Sequence, residues 1–333
     1  MHPARRLAAA ALILHGLLRP AARADDPLPV ALGQPEVIAV PPNPVRYYAN
    51  DSRFPYLPNS NGTAMITFWV CGGNYRSTGP DLAHMGPIEP TNAVLTGTPG
   101  TFDNGGAWLL NAIRRPDGVI VAFFHAEDHG CKPYTEWNAM GVALSRDDGV
   151  TFTKLGQIIG SPNPCQGFGG LAANTAVWDD KRQAWLAWGG SHVFMSTDPD
   201  AAPGTWRGYD THGQFSVNLP CTNPAALAHL PGYDGRGPCQ SVTWNTHLQR
   251  YLMVYQRWGN TREALVASSP DGLTWTPHGA LYAAPAGEEI AYPFILGETG
   301  ERSGRTAWLV YMRGPGTQPG QRRDLVRRAL RFD

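Results

Sequence analysis

The sequence predicts an all-β fold, a five-bladed β-propeller preceded by a cleaved signal peptide, and three observations carry that prediction. An apolar, aromatic-rich run recurs five times, at Met65–Trp69, Val119–Phe124, Trp185–Trp188, Leu252–Tyr255 and Trp308–Tyr311. The spacings are 54, 66, 67 and 56 residues, the length of a four-stranded blade with variable loops. Composition agrees: 38 Gly and 30 Pro among 333 residues suit many tight turns, and the 11 Trp suit packing between sheets. Beyond the N-terminus, no helical periodicity persists past about two turns.

The first 24 residues read as an export signal. Arg5 and Arg6 precede the apolar stretch Leu7–Leu18, and Ala22-Arg23-Ala24 offers the small-x-small cleavage pattern. The remaining 25–333 form the expected single propeller domain, in a secreted or periplasmic protein. The whole chain carries 27 basic and 27 acidic residues, so loss of Arg5, Arg6, Arg19 and Arg23 leaves a mature charge of −4. A mildly acidic surface argues against nucleic acid and against anionic membranes as partners. No second apolar stretch approaches the roughly 18–20 residues that span a bilayer, and a monomer is expected. Five cysteines suit an oxidising compartment. Cys221 and Cys239 bracket one loop and are the expected pair; Cys131 could bridge either to Cys165 or to Cys71. No C-x-x-C spacing suggests structural zinc.

Turn chemistry marks the outer hairpins. Ser145-Arg146-Asp147-Asp148-Gly149-Val150-Thr151-Phe152 reads S-x-D-x-G-x-T-aromatic, and Ser269–Trp275 repeats it one residue shorter. A degenerate copy runs from Ser196 and Asp198 to Gly204-Thr205-Trp206. The Asp accepts backbone N–H groups across such a turn, and the Gly supplies positive φ. These turns resemble the Asp-box hairpin of sialidases and other propellers, which joins outer strands away from the axial site. Their acids are therefore expected to be structural. Inner strands then begin near Tyr47, Asp103, Leu171, Cys239 and Glu289.

An inner strand starts, and a second strand ends, at the same mouth of the ring. Those positions collect Asp51, Asp103, Asn174, Gln240, Glu288, Glu289 and Tyr292 from the first set. The second set adds His125, Glu127, Asp128, His129, His192, Arg257 and Arg313. Unlike carboxylates, imidazoles and guanidinium groups on one concave surface form a catalytic composition more than a packing one. Trp137, Trp258 and Tyr292 lie near the same loops and could stack on sugar rings. His125, Glu127 and His129 alternate, which would aim all three to one side of a strand, a possible metal geometry. The Gly130 turn and the lack of a remote fourth ligand argue against it, so no metal and no cofactor are expected.

Five blades, an Asp opening blade one, and these hairpins together resemble the five-bladed propeller glycoside hydrolases, the arabinanase/xylosidase family 43 and related clans. His125-Ala126-Glu127, followed by the strand Gly141 to Ser145, is similar to secreted propeller hydrolases. The resemblance spans about residues 45–333. It implies hydrolysis of an oligosaccharide or polysaccharide by paired carboxylates, one protonating the leaving oxygen and another activating water or attacking. By position Asp51 matches the family's base and Asp103 its pKa-modulating Asp. Blade three departs from the family, offering Asn174 where the acid stands, so Glu127 is expected as acid, with Glu289 second. His125, Gln240, Arg257, Tyr292, Arg313, Trp137 and Asn174 are expected to bind substrate. Each has a structural counterpart: Asp51 could cap an Asx turn, Asp103 could shape the Asn104-Gly105-Gly106 loop, and the arginines could tie blades together. Two other functions fit less well. A sialidase needs three arginines, with Arg257, Arg313 and one of Arg46, Arg76 or Arg114, and usually six blades. A lectin would repeat one aromatic site in every blade.

Overall fold

Strands form where the aromatic and β-branched runs lie. The structure is a computed structural model that describes residues 27–40, 52–70, 73–130, 136–165, 167–231, 240–257, 261–314 and 323–333. All five runs fall on second strands of sheets, Met65–Val70, Ile120–Asp128, Ala184–Gly189, Arg250–Tyr255 and Thr306–Gly314, with only Val119 standing just before its strand. The innermost strands pair antiparallel with them: Tyr56–Pro58, Gly106–Arg114, Thr175–Asp179, Ser241–Asn245 and Glu289–Leu296. The fold is the expected five-bladed propeller, with only two short 3-10 turns among the described residues. No helix among those residues is long and apolar enough to cross a membrane.

Closure of the ring is visible in the core. Five apolar clusters fill the five gaps between blades. Phe68 and Phe124 join blades one and two, Phe123 and Trp185 blades two and three, and Trp188 and Met253 blades three and four. Leu252 and Leu309 join four and five, and Trp69 with Phe294 completes the circuit. Because each wedge is packed on both faces, the second strands are buried almost throughout, for example Ala184–Gly189. Losing a large aromatic from such a wedge typically costs about 3–5 kcal/mol.

One strand was not anticipated. Val30–Ile38 pairs antiparallel with Asp324–Phe332 and forms the outermost strand of blade five, so the two ends of the described chain share one sheet. This joins start to finish of the ring and covers an otherwise open edge. The hairpins at 145–151 and 269–274 carry the expected turn bonds. Asp147 accepts from Thr151 N at 2.9 Å, and Asp271 from Leu273 N and Thr274 N, both at 2.9 Å. Gly149 (φ +78°) lies under Phe68, and Gly272 (φ +75°) under Trp188, where a Cβ would stand 2.4 and 2.9 Å from the rings. Cys221 is a free buried thiol, so the expected Cys221–Cys239 bridge is not formed. Burial raises that thiol above its ordinary pKa. Cys71, Cys131, Cys239, the signal segment 1–24 and Asp51 lie outside the described residues.

The axis of the ring is blocked by an ion pair. The loop after Leu296 folds inward, and its Arg302–Ser303 bridge runs parallel to the inner strand of blade four. Trp244 N donates to Glu301 O at 2.9 Å and Thr246 N to Ser303 O at 2.8 Å. Glu301 thereby reaches Arg53 at 3.6 Å, with both side chains about 4–5% exposed. Arg53 also donates to the Thr175 hydroxyl and, at 3.2 Å, to Gly300 O. Burial pushes the Glu301 carboxyl up to about 7, opposed by the nearby guanidinium. Burial likewise lowers Arg53 to about 10. This plug divides an upper mouth, where inner strands begin, from a lower mouth, where they end.

Candidate active site

The second strand of blade two delivers the main polar cluster to the upper mouth. Along Ile120–Asp128 the side chains alternate. Val121 and Phe123 therefore anchor the face packed on blade three, and His125 and Glu127 continue it beyond the apolar core. His125 Nε2 lies 3.3 Å from Glu127 Oε1, and His129 Nε2 lies 2.9 Å from Glu127 Oε2. One carboxylate is thus held between two imidazoles while remaining 18% exposed.

The third strand, Glu136–Ser145, contributes a second carboxylate. Asn138 stands directly across from Glu127, and Glu136 follows at the same parity. Donor atoms of His125, Glu127 and Glu136 lie within 4.8 Å of one another. Glu136 N donates to Gly167 O at 3.3 Å, and Phe168–Gly170 pairs parallel with 136–138, so this strand start is clamped on both sides. Burial raises the Glu136 carboxyl above the usual range, and the negative charge of Glu127 adds to the rise. The negative charge of Glu127 thus favours keeping a proton on Glu136.

Small residues let the cluster close. A Cβ on Gly105 would stand 2.4 Å from the His129 ring, and one on Gly106 would stand 2.0 Å from the Trp108 ring. Trp108, opposite His125 in the register, has its ring 5.8 Å from the imidazole. Asp128 fastens the following turn, accepting from Gly130 N at 2.8 Å and Asn163 Nδ2 at 3.0 Å. Those bonds, with one from Asn104, outweigh burial and hold Asp128 below the usual carboxylate range. The three-donor spacing would also suit a small divalent cation. Both carboxylate oxygens of Glu127 already face imidazole nitrogens, however, and a proton network accounts for the contacts without an ion.

The other expected site residues are distributed as follows. Asp103 is 1% exposed, and its carboxylate meets Thr98 N at 3.3 Å, the Thr101 hydroxyl and the Lys154 ammonium. Its hydrogen bonds serve its own loop and the outer strand of blade two. Glu289 opens the inner strand of blade five opposite Gly314 and keeps one buried carboxylate oxygen without a hydrogen-bond partner among the described residues. Glu288 stands half-buried before it. Tyr292 holds φ +54°, with the Arg323 guanidinium 5.9 Å from its ring, and packs on the same cluster as Trp108. Gln240 is buried and donates to Gly190 O at 2.7 Å. Asn174 N donates to Trp188 O at 2.9 Å. Trp137 donates from its indole to Ser161 O at 3.0 Å. Arg313 faces Asp324 at 3.4 Å, and Arg257 is exposed. Asp51 and Trp258 lie outside the described residues.

The structure therefore brings His125 and Glu127 together and adds Glu136, which the sequence reading missed. Its signal was available: a third strand starts at the same mouth as a second strand ends, and Glu136, Asn138 and Met140 alternate into the apolar strand that follows.

No protein-family model matches the chain, and no curated protein matches it in sequence. Solved structures do match in shape. A protein titled glycoside hydrolase has a TM-score of 0.55 at 15% identity, covering 90% of this chain and 92% of its own. The alpha-L-arabinanase of Cellvibrio cellulosa has a TM-score of 0.53 at 12% identity, covering 81% and 90%. An exo-beta-1,3-galactanase of Phanerochaete chrysosporium has a TM-score of 0.50 at 13% identity and covers 89% of this chain; the chain spans only 63% of that protein's length.

Proposed function

We propose that this chain is a secreted glycoside hydrolase whose acid chemistry is done at the upper mouth by the Glu127–Glu136 pair. The observation that carries the reading is a half-buried carboxyl, Glu136, within 4.8 Å of His125 and a second carboxylate at the open end of a propeller, and raised in pKa there. Fold neighbours titled arabinanase and galactanase support a glycan as the substrate class.

In this reading Glu136 gives its proton to the leaving glycosidic oxygen. Glu127, expected from sequence as the acid, keeps that proton in place through its charge, and His125 and His129 orient it. Positioned proton transfer of this kind contributes about 10²–10⁴-fold. Asp51, opening blade one, is the expected base, and Glu289 and Tyr292 would line the opposite wall. A bridge through Cys165 and export by the first 24 residues belong to the same proposal.

The test is a panel of aryl glycosides and polysaccharides with the wild type, Glu136→Gln and Glu127→Gln. We expect Glu136→Gln to lose at least about 100-fold in kcat with its thermal unfolding unchanged. Glu127→Gln removes the charge that raises Glu136, so the fall in activity on the alkaline side should begin at lower pH. Full activity in Glu136→Gln would remove it as the acid, and a wild type inert on the whole panel would end the hydrolase reading.

A further inference from the structure

A cavity lies at the other mouth. It holds about 520 Å³, within the range of small-ligand sites, and it opens where the inner strands end. Two indoles dominate its wall, Trp178 from blade three and Trp244 from blade four. They belong to a repeat that the blade count conceals. Residues 178–185 read W-D-D-K-R-Q-A-W and residues 244–251 read W-N-T-H-L-Q-R-Y, sharing W-[DN]-x-x-x-Q-x-aromatic.

The two copies fold alike. Asp179 accepts from Lys181 N and Arg182 N, and Asn245 accepts from His247 N and Leu248 N. Gln183 and Gln249 both take positive φ, 50° and 54°, and each amide returns to a carbonyl three residues back. Each indole meets the aromatic of the returning strand edge-on, Trp178 with Trp185 at 5.2 Å and Trp244 with Tyr251 at 4.9 Å. The Tyr251 hydroxyl also bonds the Asp179 carboxylate, tying one copy to the other. The platforms are therefore fixed before any ligand arrives.

Charge narrows the ligand. Arg182 pairs with Asp179 at 2.5 Å, Arg114 with Asp148 at 2.6 Å, and Glu301 with Arg53 at 3.6 Å. Arg302 lies 3.9 Å from Asp180, and the Lys181 ammonium sits 5.5 Å over the Trp244 ring. Apart from Lys181, whose ammonium lies over an indole, the charged groups of the wall face an opposite charge, which leaves little net charge to hold an ionic ligand. What the wall offers is flat aromatic surface, with the Gln249 amide and the Thr246 and Thr299 hydroxyls beside it. We infer that the lower mouth is a second, non-catalytic binding site for a neutral saccharide, stacked on Trp178 and Trp244.

The site is separated from the upper mouth by the Arg53–Glu301 plug, so the two can be tested apart. Isothermal titration of the mature protein carrying Glu136→Gln, with neutral arabino- and galacto-oligosaccharides, measures binding. An oligogalacturonate serves as the charged control. At least a tenfold loss of affinity is expected in Trp244→Ala. The same loss is expected in Trp244→Leu, which keeps apolar volume against Tyr251 but removes the flat face. In the wild-type background, Trp244→Leu should leave turnover of a small aryl glycoside unchanged. Affinity indifferent to both substitutions, preference for the charged oligomer, or no binding of any neutral oligosaccharide would overturn the inference. Failure of the hydrolase reading would show instead as a wild type inert on every glycoside tested, with oligosaccharide binding intact.

Discussion

The two mouths of this propeller use the same side chains to opposite ends. At the lower mouth and its neighbouring turns, carboxylates are surrounded by donors. Asp179, Asp147 and Asp271 are all held below the usual range by backbone and side-chain hydrogen bonds that outweigh their burial. At the upper mouth, Glu136 is raised, because its neighbours supply burial and a second negative charge in place of a cluster of N–H groups. The lesson is that position in a blade decides the work of an acid. Turns between strands present free N–H groups that satisfy a carboxylate, whereas strand ends facing the axis have spent their N–H groups on the ladder.

The axial plug keeps those two regimes apart, and the sharpest way to break the comparison is to remove half of it. Arg53→Met leaves the Glu301 carboxylate buried without its counter-charge, and we expect a loss of about 3–5 kcal/mol in unfolding free energy. The double variant Arg53→Met with Glu301→Leu replaces the pair by apolar volume and should recover most of that loss. Equal stability of the single variant and the wild type in urea titrations would mean that the pair does not seal the axis.

The same pair predicts a pH dependence. Glu301 has a folded-state value of about 7 against an ordinary 4.5. The folded chain therefore binds more protons than the unfolded one between those values, and stability falls as pH rises through that window. Below about pH 4.5 this contribution is fully present, and above about pH 7 it is gone. The Arg53→Met, Glu301→Leu double variant should lose that slope. A wild-type melting temperature that rises from pH 5 to pH 7, with the double variant tracking it, would contradict the assignment.

Much of this was legible in the chain, for local reasons. Second strands announced themselves because both their faces are buried, so Phe123, Phe124, Trp185 and Trp188 stand in unbroken apolar runs. The strand Val30–Ile38 gave no such signal. It is an outer strand, mostly solvent-exposed and interrupted by Pro35, and its partner is nearly three hundred residues away. Glu301 was equally hidden. Its surroundings, Gly297-Glu298-Thr299-Gly300-Glu301, read as an exposed polar turn, and only the inward fold onto blade four buries it. At the site, His125 and Glu127 were visible from their alternation after an apolar strand. Asp103 precedes an inner strand, a position that points to the mouth, yet Lys154 approaches from the outer strand and takes its carboxylate. A long-range partner of that kind leaves no trace in spacing.

The smallest expected effect tests the lower acids themselves. Asp271 accepts from Leu273 N, Thr274 N and the Ser269 hydroxyl, all within 3.0 Å. Asp271→Ala should cost about 1 kcal/mol, the net worth of a turn bond, since water can reach the freed N–H groups at this partly exposed hairpin. Because the folded-state pKa of Asp271 is depressed, its contribution is present above the ordinary carboxylate value and is lost as pH falls through the folded one. The wild type and the variant should therefore converge in stability in acid and separate towards neutrality. Hydrolysis should be unaffected throughout, since Asp271 sits at the end of the ring away from Glu127 and Glu136. A variant that kept its stability but lost turnover would reverse the comparison and move the chemistry to the lower mouth.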